Sequence, residues 1–346
     1  MKILVVRMIF FSGLFFILLP TIVLGEYKEV LENIFFSRYP SAKVEALGKG
    51  CVAIDGDIAT CIHNPSGIAS IEKIIFGTSY SKSYYSLEDA EYNFFGVGFP
   101  IKRGAIGLSR YHFDYRNPIL FSRIEDGAII LIGEFDSDTS LFTLTFAYES
   151  SKDLFVGING NVIRQRLGIG IIEPDYAGFG DIGVLKSFEF QENSINQKIC
   201  LGASLSNFTS SKIHGDDLPV ILRLGFSYKT VLKPIIALLL HIELQDVLNS
   251  RYRGGFKVGG EFLLLEMLAF RYGYYREKID DHGFRSNKNL LEEKTSGFGF
   301  QIPLTKIKYI PVDIEFNMVK LPQPSYVKNV QWKDFSLYNL NFRWRR

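Results

Sequence analysis

The sequence predicts an all-β protein, a transmembrane antiparallel β-barrel of about 14 strands. Three observations predict it. Runs of about ten residues alternate apolar and polar side chains. The connections between them alternate between short and long. After the N-terminus no apolar window reaches the ~20 residues of a spanning helix; Ile235–Leu244 comes nearest. Soluble sandwich strands commonly have about 5–6 residues, membrane strands about 9–11, and these runs match the longer figure.

The chain has 346 residues, 47% of them hydrophobic, with 30 Phe, 18 Tyr and 2 Trp. Its mean hydropathy is slightly positive, as suits strands that show lipid one face and water the other. A formal net charge of +2 without a basic face gives no reason to expect nucleic acid. Cys51, Cys61 and Cys200 are too few for a disulfide scaffold. Cys51 and Cys61 could pair in an oxidising compartment; the plainer reading is two small buried residues.

Residues 1–25 read as a cleaved signal peptide. Lys2 and Arg7 form a basic start, Met8–Leu19 is a short apolar run interrupted at Pro20, and Val23-Leu24-Gly25 fits a small-residue cleavage site. The mature chain is expected to start near Glu26. Residues 26–70 are turn-rich, and 71–346 carry the strand pattern.

Within that pattern Leu222, Leu224 and Phe226 alternate with Arg223, Gly225 and Ser227. Phe142, Leu144 and Phe146 alternate with Thr143, Thr145 and Ala147. Phe270 and Tyr272 flank Arg271. Ile314, Phe316 and Met318 oppose Asp313 and Glu315. The polar faces read as lumen wall, giving Arg223, Arg271, Asp313 and Glu315 as lumen-facing candidates, with His241 and Glu243 on the polar face of their own strand. The run 105–115 changes phase near Ser109-Arg110, which suggests a bulge. Residues 128–135 (AIILIGEF) either extend a strand or form a hairpin within a loop. Glu149–Asp153 and Thr230–Pro234 read as short turns. Arg164–Tyr176, Thr209–Asp217 and Lys278–Lys294 read as longer loops.

Signals of chemistry are sparse. Gly178–Gly183 matches G-x-G-x-x-G, but a strand follows it instead of a helix, so the dinucleotide reading fails. The five His have no metal spacing. No catalytic constellation stands out, so neither an enzyme nor a cofactor is expected.

The stretch AKVEALGKGCVAIDGDIATCIHNPSGIASI resembles the N-terminal segment of the PorV/PorQ-like branch of the FadL superfamily of outer-membrane barrels. The matching positions are Leu47-Gly48-Lys49-Gly50, Asp57 and Asn64-Pro65-Ser66-Gly67, with Ser66 in place of the usual Ala. The stretches 178–185, 201–208, 217–229 and 259–275 resemble later sections in the same order. The resemblance implies that residues 26–70 fold inside the lumen as a hatch. Gly48, Gly50, Asp57, Asn64, Pro65 and Gly67 are then its hatch or gating residues. It implies an outer-membrane location and passive passage of a hydrophobic small molecule such as a fatty acid. The alternative it implies is a scaffold or shuttle that binds exported cargo with secretion-system proteins. Partners would be outer-membrane lipid and the barrel assembly machinery. The last strand, with Tyr338, Leu340, Phe342 and Trp344 alternating, supplies the assembly signal of such barrels, although Arg345-Arg346 follow where an aromatic is usual.

Overall fold

The computed structural model describes residues 39–84, 87–125, 128–169, 173–192, 195–232, 235–249, 254–278, 290–306, 310–321 and 335–344. The expected signal peptide, the mature start near Glu26 and Arg345-Arg346 lie outside the described residues.

Fourteen antiparallel strands close into a barrel. In chain order they begin with β1 (Ile74–Tyr84), β2 (Leu87–Ile101), β3 (Gly104–Glu125), β4 (Ala128–Ser151) and β5 (Leu154–Ile169). Next come β6 (Asp175–Glu192) and β7 (Ile195–Ser206). A small hairpin, β8 (Lys212–Ile213) and β9 (Asp216–Asp217), stands apart as its own sheet. The wall resumes with β10 (Ile221–Leu232), β11 (Ile236–Val247), β12 (Gly255–Leu264) and β13 (Leu268–Lys278). It ends with β14 (Leu290–Ile302), β15 (Val312–Leu321) and β16 (Phe335–Trp344). β1 pairs with β16, Ile74 opposite Trp344, and this seam closes the ring.

Closure leaves no free sheet edge, the condition for strands to cross lipid. The outer face is apolar: Phe95, Leu144, Phe270 and Tyr272 are all about half exposed or more (49%, 53%, 50% and 56%). The inner face is polar and buried, with Thr143, Thr145, Arg223, Arg271, Glu315 and Asn317 all below 9% exposure. This is the alternation that a two-sided environment imposes on a period-2 strand.

One rim carries the start of β1, the end of β16 and short turns such as those between β2 and β3 and between β4 and β5. The other carries the longer connections β7–β10, β11–β12, β13–β14 and β15–β16. The β5–β6 connection is shorter than the sequence suggested, because Arg164 and Gln165 still pair with Tyr176 and Asp175. Residues 128–135 extend β4, which pairs with the far end of β3.

The expected bulge at Ser109-Arg110 is absent. Pairing of β2 with β3 is continuous from Ala90↔Tyr115 to Ile101↔Gly104; the irregularities of β3 lie between Tyr115 and Ile119 and at Phe121/Ser122. What changes at Arg110 is the chemistry of the faces. Below it Ile106 and Leu108 point outward, 37% and 49% exposed. Above it Arg110 points outward, while Tyr111 and Phe113 turn inward and are buried. The strand keeps its period and leaves the apolar band.

Candidate functional site

Residues 39–73 make a short helix, α1 (Ala42–Ala46), and two turns of 3-10 helix, Ile58–Ile62 and Pro65–Ile68. The local sequence dictates each start. Ser41, Asp57 and Asn64 are the N-caps, each accepting the amide two or three residues on, Val44, Ala59 and Ser66. Pro65 follows its cap at the first helical position, where a missing N–H does no harm. Ser41 and Asp57 are also tied to each other, hydroxyl to carboxylate at 3.1 Å. Gly48 and Lys49 take positive φ and turn the chain after α1.

This segment contacts inward-facing groups all around the ring, so it lies within the barrel. One oxygen of Glu243 on β11 accepts the amides of Cys51 (2.7 Å) and Val52 (2.9 Å). The His241 ring nitrogen meets the Leu47 carbonyl at 2.6 Å. Ser227 on β10 donates to the Ala53 carbonyl at 2.8 Å. Asn159 on β5 donates to the Cys61 carbonyl at 2.8 Å, and Thr295 on β14 bonds both Gly48 and Ala46. Ion pairs add Lys49 with Glu277 (3.3 Å), Lys73 with Asp313 (2.7 Å) and Lys198 with Asp55 (2.8 Å).

The wall is notched to receive it. Five cross-strand pairs of inward glycines stand opposite the segment: 77/96, 98/107, 157/183, 202/225 and 259/273. Gly273 shows why. A Cβ there would fall 2.0 Å from the Gly48 amide nitrogen, and one at Gly259 would fall 2.3 Å from the Leu47 carbonyl oxygen. At Gly202 it would meet the Val52 carbonyl oxygen at 2.1 Å. Backbone lies on backbone here, so no rotamer relieves the clash. Glycine inside a strand weakens it and marks such close approach.

The predicted residues come together as two groups. Gly48, Gly50, Asp57, Asn64, Pro65 and Gly67 all belong to the enclosed segment and are buried. Asp57 and Asn64 act as caps, Gly50 faces His241, and Pro65 faces Gly157. Arg223, His241, Glu243, Arg271 and Glu315 are inward and buried, and Asp313 is partly buried. Arg271 bonds Glu261 and Asn317 at 2.5 and 2.8 Å, and Arg343 bonds Glu315 at 2.8 Å. Tyr338 and Trp344 are exposed on the outer face of β16, with Leu340 and Phe342 half-buried on the same face. Cys51, Cys61 and Cys200 are buried and unpaired.

Sequence reasoning missed Lys257, which is fully buried. Its ammonium group reaches the Tyr39 hydroxyl (2.6 Å), Gln245 (2.8 Å) and Glu243 (3.2 Å). It also missed the Thr145–Asn159–Asp181–Asn161–Thr143 ladder of β4, β5 and β6. The signal for both was their place in strand alternation opposite apolar neighbours. His63 stacks on Tyr39 with ring centroids 3.9 Å apart, and neither of its ring nitrogens has a hydrogen-bond partner. Burial, with Arg223 and Lys257 nearby, holds its imidazole well below the usual histidine range.

The lumen therefore has two kinds of wall. On the β1–β6 side, Ile58, Cys61 and Ile68 of the segment join Phe94, Tyr111, Phe113, Leu141, Ile163 and Phe179 in one apolar cluster. On the β10–β13 side stand Arg223, His241, Glu243, Gln245, Lys257 and Glu277, around Tyr39 and Lys49. Among the described residues no group of three His, Cys, Asp or Glu is arranged to hold a metal.

The fold and this arrangement define a class: a closed fourteen-strand antiparallel barrel with an apolar outer face and an occupied lumen. No family model matches the chain, and no curated protein matches it. Solved structures do. The Pseudomonas putida toluene transporter TodX is similar in fold at TM-score 0.52 and 10% identity, over 94% of this chain and 100% of that one. The Ralstonia pickettii toluene transporter TbuX reaches 0.50 at 12% identity, over 88% and 98%. A Pseudomonas aeruginosa FadL homologue reaches 0.50 at 10%, over 89% and 98%.

Proposed function

We propose that this chain is an outer-membrane channel for the passive passage of hydrophobic small molecules, with residues 39–73 as its hatch. The observation that carries this reading is the apolar luminal wall of β1–β6 facing a polar wall, with the path between them occupied by a segment that is continuous with β1 and otherwise held by hydrogen bonds and ion pairs, with no disulfide. A hydrophobic molecule entering at the long-loop rim would lie along Tyr111, Phe113, Ile163 and Phe179. It would pass once the segment shifts. The charged groups on the β10–β13 side favour a molecule with a polar end, fatty-acid-like in class. The fold likeness to the toluene transporters TodX and TbuX supports the channel reading. The resemblance of residues 42–71 to the PorV/PorQ-like branch supports the hatch, and the alternating aromatics of β16 support recognition by the barrel assembly machinery.

Native mass spectrometry of the protein purified from its own outer membrane in mild detergent tests this. A retained small apolar molecule that is lost when Asn64 and Pro65 are altered is the expected result. A stoichiometric protein partner with no small ligand would overturn the channel reading in favour of a cargo-binding scaffold.

A further inference from the structure

The short-turn rim is chemically lopsided. On the β2–β6 side, consecutive turns place Lys102 and Arg103 (β2–β3), Lys152 (β4–β5) and Lys186 (β6) side by side. The turns are linked: the Glu149 amide donates to the Arg103 carbonyl at 2.7 Å. Lys186 Nζ donates to the Lys152 carbonyl at 2.7 Å. Lys102, Arg103 and Lys152 are exposed and Lys186 is partly exposed.

None of these four cations lies in an ion pair among the described residues, whereas luminal cations such as Lys49, Lys73, Lys198, Lys257 and Arg271 are paired. The acidic groups nearby are Glu149 and Asp153 on the β4–β5 turn and, further along β6, Glu189, which pairs with Lys198 at 3.2 Å, and Glu192. The Glu149 carboxylate is occupied by the Asp153 amide at 3.2 Å. The β12–β13 turn on the far side of this rim presents Leu265 and Glu266 instead.

The patch also borders the apolar band. Phe99, Ile101, Ile106, Phe146 and Val184 are exposed on the outer wall of the same strands. The Arg103 guanidinium lies 5.3 Å from the Tyr148 ring centre, and Lys186 Nζ lies 5.3 Å from that of Phe188. Long cationic side chains over interfacial rings, with stems along apolar wall, hold their charges at headgroup depth.

We infer that Arg103, Lys102, Lys152 and Lys186 form a binding site for the phosphate of an anionic phospholipid in the leaflet at the short-turn rim. The acyl chains lie on Phe99, Ile106, Phe146 and Val184. Four clustered, unneutralised cations complement a headgroup with net negative charge, and a zwitterionic headgroup offsets its own phosphate. The site concerns the outside of the barrel and is independent of what passes through the lumen.

The test uses the full-length protein in nanodiscs of phosphatidylethanolamine and phosphatidylglycerol in equal amounts. Lipids that survive gentle release are identified by native mass spectrometry. The wild type is expected to retain phosphatidylglycerol at least tenfold over phosphatidylethanolamine. The double variant Arg103→Gln, Lys186→Gln is expected to lose that preference, and Lys152→Gln to weaken it. Retention of the two lipids in equal amounts by the wild type would overturn the inference. So would a preference that survives in the double variant. All three positions are at the surface, and the heat-dependent gel shift of the intact barrel checks that the variants fold.

Discussion

One carboxylate oxygen of Glu243 holds the backbone amide of Cys51 at 2.7 Å, in the middle of the lumen. The same oxygen takes the Val52 amide, and the other faces Lys257 at 3.2 Å. This ties wall to segment by one carboxylate shared between two backbone amides and a buried cation. Glu243→Ala leaves two amides without their acceptor and removes the nearer of two carboxylates from the buried Lys257 ammonium group. Loss of one partner from such a buried set costs about 3–5 kcal/mol. The barrel, held by its strand ladders, is expected to stay closed in a heat-modifiability gel. The segment is expected to undock, read as faster amide exchange over residues 47–56.

The glycine notches make a paired prediction. Gly273→Ala puts a Cβ 2.0 Å from the Gly48 nitrogen and forces the segment away. Gly160→Ala, on the outer face, meets nothing within 4 Å and is expected to change stability by less than about 0.5 kcal/mol. Proteolytic nicking of residues 39–73 in folded barrels should rise in the first variant and match wild type in the second. Equal behaviour of the two would show that the notches do not hold the segment.

A lock follows from the same geometry. The Val52 Cγ1 atom sits 2.4 Å from where a Gly225 Cβ would be, so a cysteine sulfur in place of Cγ1 would lie within reach of a cysteine at 225. Val52→Cys with Gly225→Cys, in a chain whose own cysteines are replaced by serine, is expected to cross-link under oxidation. Uptake of a hydrophobic probe by proteoliposomes should stop when oxidised and return with reductant. Unchanged uptake by the cross-linked protein would sink the hatch reading.

His63 gives docking a pH dependence. Its imidazole is held neutral by burial and by Arg223 and Lys257, beside the Tyr39 ring. Released to water it regains an ordinary pKa of about 6.5. The undocked state therefore binds more protons below that pH, and docking weakens as pH falls through about 6.5, by at most ~1.4 kcal/mol per pH unit. Asp55 has the opposite history. Burial alone would raise its pKa, but Lys198 holds it below the ordinary carboxylate value, so its contribution persists until pH falls below about 4. The protection of the segment's amides, each rate taken relative to its intrinsic rate at that pH, should be lower at pH 5 than at pH 7 in wild type. The difference should vanish in His63→Phe, which keeps the stacking on Tyr39 and removes no hydrogen bond.

Much of the wall was legible in the sequence because period-2 alternation is local. The faces of Leu222–Phe226, Phe142–Phe146 and Ile314–Met318 could be read from those residues alone. Two things were not legible. At Arg110 the alternation of chemistry inverts where β3 passes the apolar band, which looks like a slip of register although the backbone has none. And which inward residue stands beside which is set by pairing across the sheet. Nothing within β12 or β13 says that Gly259 will face Gly273, or that Lys257 will sit between Glu243 and Glu277. Those neighbours come from register, and register is a property of the closed ring.

The β1–β16 seam unites the two ends of the barrel, and contacts so distant along the chain form slowly because so much chain must be ordered first. The enclosed segment straddles that seam. α1 packs on β13, β14, β15 and β16, with Ala42 and Ala46 against Val319, Leu321 and Leu337. Ile58 sits in the notches of β1 and β2. A stretch of under twenty residues thus touches both the first staves and the last, and braces the seam from inside: the two ends of the wall share one internal strut.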